Sequence, residues 1–327
     1  MKVLVTGASG LLGGAIAELL ADRGDTVRAL VRRTSKRSHL EKLPNIEFFE
    51  ASLDQPERLN AAVAGVDAII HSAGLVKARD ADEFFSVNVG GTSNLVEAAR
   101  LRGSELRRFV YVSSLEACGP SQDGRPVAVT QENPVTAYGR SKLAAEKVVL
   151  ASKDVIPVVI LRPGAIYGPR DVEIFAAFQS IHRGLLPEVG GGTAKAVWIY
   201  SSDCANACIR AIGADIPSGR TYFVDDGAGP MTQRQMLLDA EKALGRKALL
   251  HVNLPVGAFM GVARALEVVG RLTGRPVMLT REKANMLLED WICSSEDTRR
   301  ELGWTPAVAW RDGIERTVRW YRDNRWL

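Results

Sequence analysis

The opening fifteen residues, MKVLVTGASGLLGGA, constrain this chain more than any other stretch. Val3, Leu4 and Val5 form a short apolar run that reads as a buried strand, and Thr6 and Gly7 end it. Leu11, Leu12, Ala15, Ile16, Leu19 and Leu20 then recur at helical spacing. Gly7, Gly10 and Gly13 therefore sit on a tight strand-to-helix turn. Such a turn leaves backbone N–H groups and the positive end of the helix dipole facing outward, which suits a pyrophosphate. A Cβ at Gly7 or Gly10 would strain the turn or hold phosphates away, and one at Gly13 would push helix from strand. The spacing is G-x-x-G-x-x-G rather than the commoner G-x-G-x-x-G; its meaning comes from its place at the head of a long βα series.

A chain of 327 residues has room for one large domain or for two that share a cleft. Its 42 basic and 38 acidic residues are too balanced to argue for nucleic acid or a membrane surface. No apolar run reaches transmembrane length, and the first strand stands where a signal peptide would, so a cytoplasmic location is expected. Cys118, Cys204, Cys208 and Cys293 lack C-x-x-C spacing, and the four histidines form no H-E-x-x-H, so no metal site is expected.

The second strand is Thr26–Val31. An Asp or Glu at its end would accept hydrogen bonds from an adenosine ribose. Arg32 and Arg33 stand there instead, with Lys36 and Arg37 close behind. A guanidinium pairs with a 2′-phosphate that a carboxylate would repel. NADP(H) is thus expected over NAD(H), with a solvated basic loop as the alternative reading. Asn45–Ala51 is the third strand, followed by Ser52 and Leu53 where such folds cover adenine. Gln55–Ala64 is helical. Asp67–His71 is the fourth strand, and the small residues Ser72, Ala73 and Gly74 after it let backbone approach a cofactor closely. His71 reads as a strand-end histidine rather than a catalyst.

Ala81–Arg102 reads as one long helix with a polar Asn88 in an apolar stretch. Arg107–Ser113 is the fifth strand, with Ser113 and Ser114 at the carboxyl edge where doubly wound sheets bind ligands. In the helix Thr136–Ser152, Tyr138 and Lys142 are four residues apart and share a face. A free tyrosine is a poor base at neutral pH, and a nearby ammonium favours its phenolate. Val155–Leu161 is the sixth strand. Beyond it come a helix at Ile174–Arg183, a strand at Ala196–Tyr200, a helix at Ser202–Ile212, a strand at Thr221–Val224 and a helix at Thr232–Leu244. Pro255–Leu272 is a long helix, apolar on much of its surface; ordinary packing over the cleft, a lid and a membrane-surface contact all remain open for it. The expected fold is α/β, a doubly wound parallel sheet. Residues 1–170 would bind the dinucleotide, with about 196–225 returning to that domain, and 171–327 would mainly bind substrate.

The segments TGASGLLG, HSAG, VNVGGT, FVYVSSLEACG, YGRSK and LRPGAIYGP, with the closing LGWTPAVAWRDGIERTVRWY, together resemble the extended short-chain dehydrogenase/reductases over nearly the whole chain. SSLEACGP and RPVMLTREK are most similar to the 3β-hydroxysteroid dehydrogenase and dihydroflavonol 4-reductase-like members. The resemblance implies that Tyr138 is the acid/base, that Lys142 lowers its pKa and binds the nicotinamide ribose, and that Ser114 (Ser113 in reserve) bonds the reacting oxygen. Asn88 would support a helix bend and proton relay. Gly7, Ser9, Gly10, Leu11, Leu12 and Gly13 would hold the pyrophosphate, and Pro163, Gly164 and Ile166 would line the nicotinamide. Val76, Leu115, Glu116, Tyr167 and Tyr200 are candidates to touch substrate. A homodimer through Ala81–Arg102 and Thr136–Ser152 is also implied.

Departures narrow the activity. Ser52 replaces the Asp that often holds the adenine amino group. Leu115 occupies the acid position of sugar dehydratases, leaving Glu116 without the partner that elimination needs. The expected activity is NADP(H)-dependent interconversion of a ketone and a secondary alcohol on an apolar or cyclic small molecule. An NAD-dependent nucleotide-sugar epimerase and a non-catalytic nucleotide sensor are the alternatives.

Overall fold

The structure is a computed structural model that describes residues 1–273, 277 and 279–327. Of the RPVMLTREK stretch, Arg275, Pro276 and Met278 lie outside the described residues. Six strands run in chain order: β1 (Lys2–Thr6), β2 (Thr26–Val31), β3 (Ile46–Glu50), β4 (Ala68–His71), β5 (Arg108–Val112) and β6 (Val158–Pro163). With Arg220–Val224 they form a seven-stranded sheet in the order Arg220–Val224, β6, β5, β4, β1, β2, β3. Every pairing in it is parallel. This is the doubly wound α/β fold expected from the sequence. Its strands read as near-continuous apolar runs because both faces are covered.

On one face lie α1 (Leu11–Asp22) and the helix Ser201–Gly213, sharing a core of Ile16, Leu20, Cys204, Cys208 and Ile212. The opposite face carries α2 (Pro56–Val63), α4 (Gly91–Arg100) and α5 (Ala137–Leu150), packed through Leu59, Leu95, Val96, Ala145 and Val149. The predicted helix Ala81–Arg102 is not continuous. It begins as α3 (Ala81–Phe84), widens into a π-helical turn at Phe85–Gly90, and resumes as α4. The wide turn surrounds Asn88, whose buried side chain has partners outside the helix.

The predicted strand Ala196–Tyr200 is also split. Lys195–Ala196 pairs antiparallel with Met231–Thr232, whereas Trp198–Tyr200 pairs parallel with Ala165–Tyr167. Between them Val197 donates its N–H to Trp291 and accepts from Ala165. A third small pairing, Leu185–Val189 with Leu250–Leu254, carries too little apolar alternation to be read from sequence. The second half is held by an aromatic cluster of Tyr167, Phe178, Trp198, Tyr200, Trp310 and Tyr321.

Candidate active site

The glycine turn has the geometry of a phosphate cradle. Gly7 is left-handed (φ +71°), and a Cβ there would meet the backbone N of Ala73 at 2.9 Å. A Cβ on Gly13 would lie 2.1 Å from the carbonyl oxygen of Gly7, so helix and strand meet only through glycine. Gly10 caps α1 without a side-chain hydrogen bond, and no acidic residue occupies the first turn. The N–H groups at that end therefore face outward with the positive dipole end, a setting that fits an anionic pyrophosphate. Leu12 buries its side chain in the core, and Ser9 and Leu11 are half-buried beside the turn.

The β4 turn closes on the same edge. Ser72 Oγ donates to the carbonyl of Thr6 at 2.8 Å, and the Ala73 N–H donates to Thr6 Oγ1 at 3.2 Å. His71 is fully buried between Thr6 Oγ1 (2.6 Å) and Thr92 Oγ1 (3.0 Å). Burial, with the Lys142 ammonium nearby, pulls its pKa down to about 3, so it is neutral and structural. Arg32 and Arg33 are exposed at the end of β2 and, among the described residues, form no ion pair. Leu53 packs against Gly91 at the start of α4, where a Cβ would meet it at 2.9 Å. Pro163 ends β6 beside Val224; Gly164 lies against Val197, and Ile166 is half-buried on the adjoining strand.

Tyr138 and Lys142 stand one turn apart on α5. Thr136 caps that helix by accepting the Gly139 N–H at 2.9 Å. A Cβ on Gly139 would meet the Glu116 carbonyl at 2.4 Å, so glycine lets α5 close on the Ser114 turn. Lys142 Nζ donates to the Val112 carbonyl at 2.7 Å, lies 4.3 Å from the Tyr111 ring centroid, and is 3.9 Å from where a Gly74 Cβ would be. Ser114 Oγ accepts the Glu116 N–H at 3.2 Å and lies near enough to the Tyr138 phenol to favour its ionised form. Ser113 is buried, and its hydroxyl has no partner among the described residues. The geometry thus favours Ser114 as Tyr138's neighbour. Asn88 accepts the Leu75 N–H at 2.7 Å and donates to Leu75 O and to Ser141 Oγ, tying the β4 turn to α5.

Sequence and fold together decide the family. The NAD dependent epimerase/dehydratase family matches residues 3–224. The chain belongs to that family. A ceramide reductase of Caulobacter vibrioides is 31% identical over 99% of this chain and 96% of its own length. A 2-alkyl-3-oxoalkanoate reductase of Stenotrophomonas maltophilia is 31% identical over 97% of this chain and 98% of its own. The crystal structure of a UDP-glucose 4-epimerase from Thermotoga maritima covers 99% of this chain and 100% of its own, with a TM-score of 0.82 at 20% identity, a likeness of fold. The chain is therefore an enzyme of the extended short-chain dehydrogenase/reductase type.

In this epimerase/dehydratase-family enzyme, burial is the largest influence on the site's charges. It pushes the Tyr138 phenol up; the Glu116 carboxyl pushes further, and the nearby Ser114 hydroxyl opposes both. Burial brings Lys142 down to about 7, opposed by Glu146. Glu146 is itself buried and held by Arg162 through two contacts, 2.8 and 2.6 Å. Burial also raises the Glu116 carboxyl, which accepts the Thr136 hydroxyl at 2.8 Å.

Sequence reasoning missed the groups that close this edge. Glu282, in the helix Arg281–Met286, accepts the Ala137 N–H at 2.6 Å and pairs with Arg140 at 2.8 Å. Its neighbour Lys283 pairs with Glu173 at 2.7 Å, and Glu173 also takes Lys77 at 2.5 Å. The signal lay in LTREK, an N-cap threonine before an acidic first turn; only the tertiary contacts give it meaning. Val76 is exposed near this closure, and Leu115 is buried beside Glu116. Tyr167 and Tyr200 were expected at the substrate. They are packed instead into the aromatic cluster, with Tyr167 wholly buried and donating to the Trp310 carbonyl.

Proposed function

We propose that this enzyme is an oxidoreductase that interconverts a ketone and a secondary alcohol on an apolar molecule, with NADPH preferred over NADH. The observation that carries the reading is the convergence of Ser114, Tyr138 and Lys142 at the carboxyl edge beside the glycine turn. The two reductases similar to it act on ceramide and on 2-alkyl-3-oxoalkanoates by name, which supports a lipid-like ketone.

Gly7, Gly10 and Gly13, with the N–H groups after them, would hold the pyrophosphate, and Ser72–Gly74 would leave room for the adjoining ribose. Arg32 and Arg33 would take a 2′-phosphate. A bound nicotinamide supplies or accepts the hydride. Ser114 and Tyr138 hydrogen-bond the substrate oxygen. In reduction, the Tyr138 phenol gives its proton to that oxygen, and the Lys142 ammonium stabilises the phenolate left behind. Lys142 would move from the Val112 carbonyl toward the ribose and phenol. Asn88 holds the β4 turn and α5 at fixed separation. A homodimer through α4 and α5 belongs to the same proposal, and sedimentation in solution tests it.

The test is NADPH oxidation with long-chain and cyclic ketones. Turnover consumes cofactor in proportion to ketone. Conversion of a UDP-sugar with no net cofactor consumption would favour an epimerase instead, and NADPH binding without any turnover would favour a sensor.

A further inference from the structure

Tyr138, Lys142 and Glu146 follow one another at four-residue steps along α5 and form one stripe on it, with about 6 Å of helix between successive members. The proposed chemistry uses the first two. Glu146 is the deepest of the three groups, 1% exposed beside Lys142 at 4%. One guanidinium occupies both oxygens of its carboxylate. Arg162 on β6 donates from Nε to Oε1 at 2.8 Å and from Nη2 to Oε2 at 2.6 Å. Arg162 is fixed in turn, donating from Nη1 to the Val129 carbonyl at 2.6 Å and to Cys118 Sγ at 3.0 Å. A charge pair this deep is a poor source of stability, because desolvation offsets the attraction. What it does supply is a carboxylate held in one place a helical turn behind Lys142.

The other titratable groups packed around this pair and Lys142 are neutral near pH 7 or turned elsewhere. The Tyr111 ring on β5 lies 4.3 Å from the Lys142 ammonium, and burial pushes its phenol far up. His71 on β4 stands at about 3. Burial raises Tyr138, which Glu116 faces, and lifts the Cys118 thiol beside Arg162 to about 11. Glu132 pairs with Lys147 at 2.8 Å. The ammonium's own contacts, the Val112 carbonyl and the Tyr111 ring face, carry no net charge. Glu146 is the charge that opposes the burial of Lys142. With Lys142 at about 7, a further fall of one unit would cut its charged fraction at about pH 7.5 by about eightfold.

We propose that Glu146, gripped by Arg162, is a positioning residue whose fixed negative charge keeps Lys142 an ammonium behind Tyr138. This rests on the acid/base reading of Tyr138 and Lys142 above. The working line then runs Tyr138, Lys142, Glu146, Arg162 from the sheet edge inward, and the last two act on the reaction through Lys142 alone.

The test is a pH titration of the full chain by carbon NMR, labelled at the lysine Cε, with the Lys142 signal assigned by its loss in Lys142→Arg. Glu146→Gln should lower the Lys142 midpoint by about one unit or more, and Glu146→Asp should restore part of the shift. Glu146→Gln leaves Arg162 unpaired in the core. Should it fail to fold, Glu146→Gln/Arg162→Gln removes both charges and should show a fall of the same sign; melting temperatures check the fold of each. In NADPH-dependent ketone reduction, the loss of kcat on the alkaline side should move to lower pH by the same amount. An unmoved midpoint in the folded variants overturns the proposal even if kcat falls, because a purely structural pair lowers activity without moving a titration. A wild type that reduces no ketone, while its Lys142 midpoint still follows Glu146, discards the reductase reading and supports the charge coupling.

Discussion

The Glu282 carboxylate accepts the backbone N–H of Ala137 at 2.6 Å across 145 residues of sequence. The bond lets the second half of the chain finish the helix that carries Tyr138, because it satisfies one of the N–H groups that a helix leaves open at its start. Replacing Glu282 with Ala should lower stability by about 1 kcal/mol, since the carboxylate is half-exposed. The melting temperature would fall by about 2–4 °C. NADPH affinity should hold while kcat falls, with Glu282→Gln recovering part of it. Unchanged kcat with lowered stability would make the contact purely structural.

Two glycine substitutions separate crowding from backbone strain. Gly13→Ala places a Cβ 2.1 Å from the Gly7 carbonyl, where only backbone can yield. It should abolish NADPH binding or cost more than about 3 kcal/mol. Gly65→Ala meets nothing within 4 Å and carries only the burden of its positive φ of 68°. It should cost about 1 kcal/mol and leave NADPH binding intact. Urea unfolding and NADPH titration read both.

Arg32 and Arg33 are exposed with no carboxylate competing for them among the described residues. The double variant Arg32→Ala/Arg33→Ala should weaken NADPH binding by about tenfold or more, because charge-assisted bonds to phosphate are lost. NADH binding should change by less than about threefold. Equal losses for both cofactors in fluorescence titrations would remove the case for NADPH preference.

Burial pushes the Asp171 carboxyl up to about 7. Unfolded, it titrates near 3.9. Between those values the folded protein keeps a proton that the unfolded chain has released. The stabilisation is therefore fully present below about pH 4 and is lost as pH rises through 7. Asp171→Asn keeps an acceptor for the Glu173 and Ile174 N–H groups and removes the titration. Relative to wild type, the variant should gain on the order of 2–3 kcal/mol between pH 5 and pH 8, measured by urea unfolding. A constant difference across that range would place the titration elsewhere.

Much of this was legible in the sequence, for reasons tied to short range. The Gly7–Gly13 turn, the Ser114 edge and the Tyr138–Lys142 spacing depend on residues close in the chain, so pattern and chemistry locate them. The π-helical turn at Asn88 was not legible, because it is set by bonds to Leu75 and Ser141 that the helical period cannot report. Tyr167 and Tyr200 read as cleft residues because aromatic character does not distinguish a cleft wall from a cluster of rings. Glu282 and Lys283 escaped, and the apolar surface of Pro255–Leu272 was legible without the side that packs, for one reason. Which side of a helix meets the protein is a property of the folded chain.

Tyr138→Phe removes the proposed proton donor and little else. It should lower kcat by about 10²–10⁴-fold while NADPH still binds. Full activity in that variant would leave the fold intact as an account and discard the proton route.

The most direct measurement is mass spectrometry of the alcohol formed from a mixed panel of long-chain and cyclic ketones with NADPH deuterated at C4 on the transferred face. The predicted result is an alcohol one mass unit heavier, labelled at the carbinol carbon, formed about 10²–10⁴-fold more slowly with Tyr138→Phe. Alcohol formed without label, or no alcohol from any ketone while a UDP-sugar is converted, would contradict it.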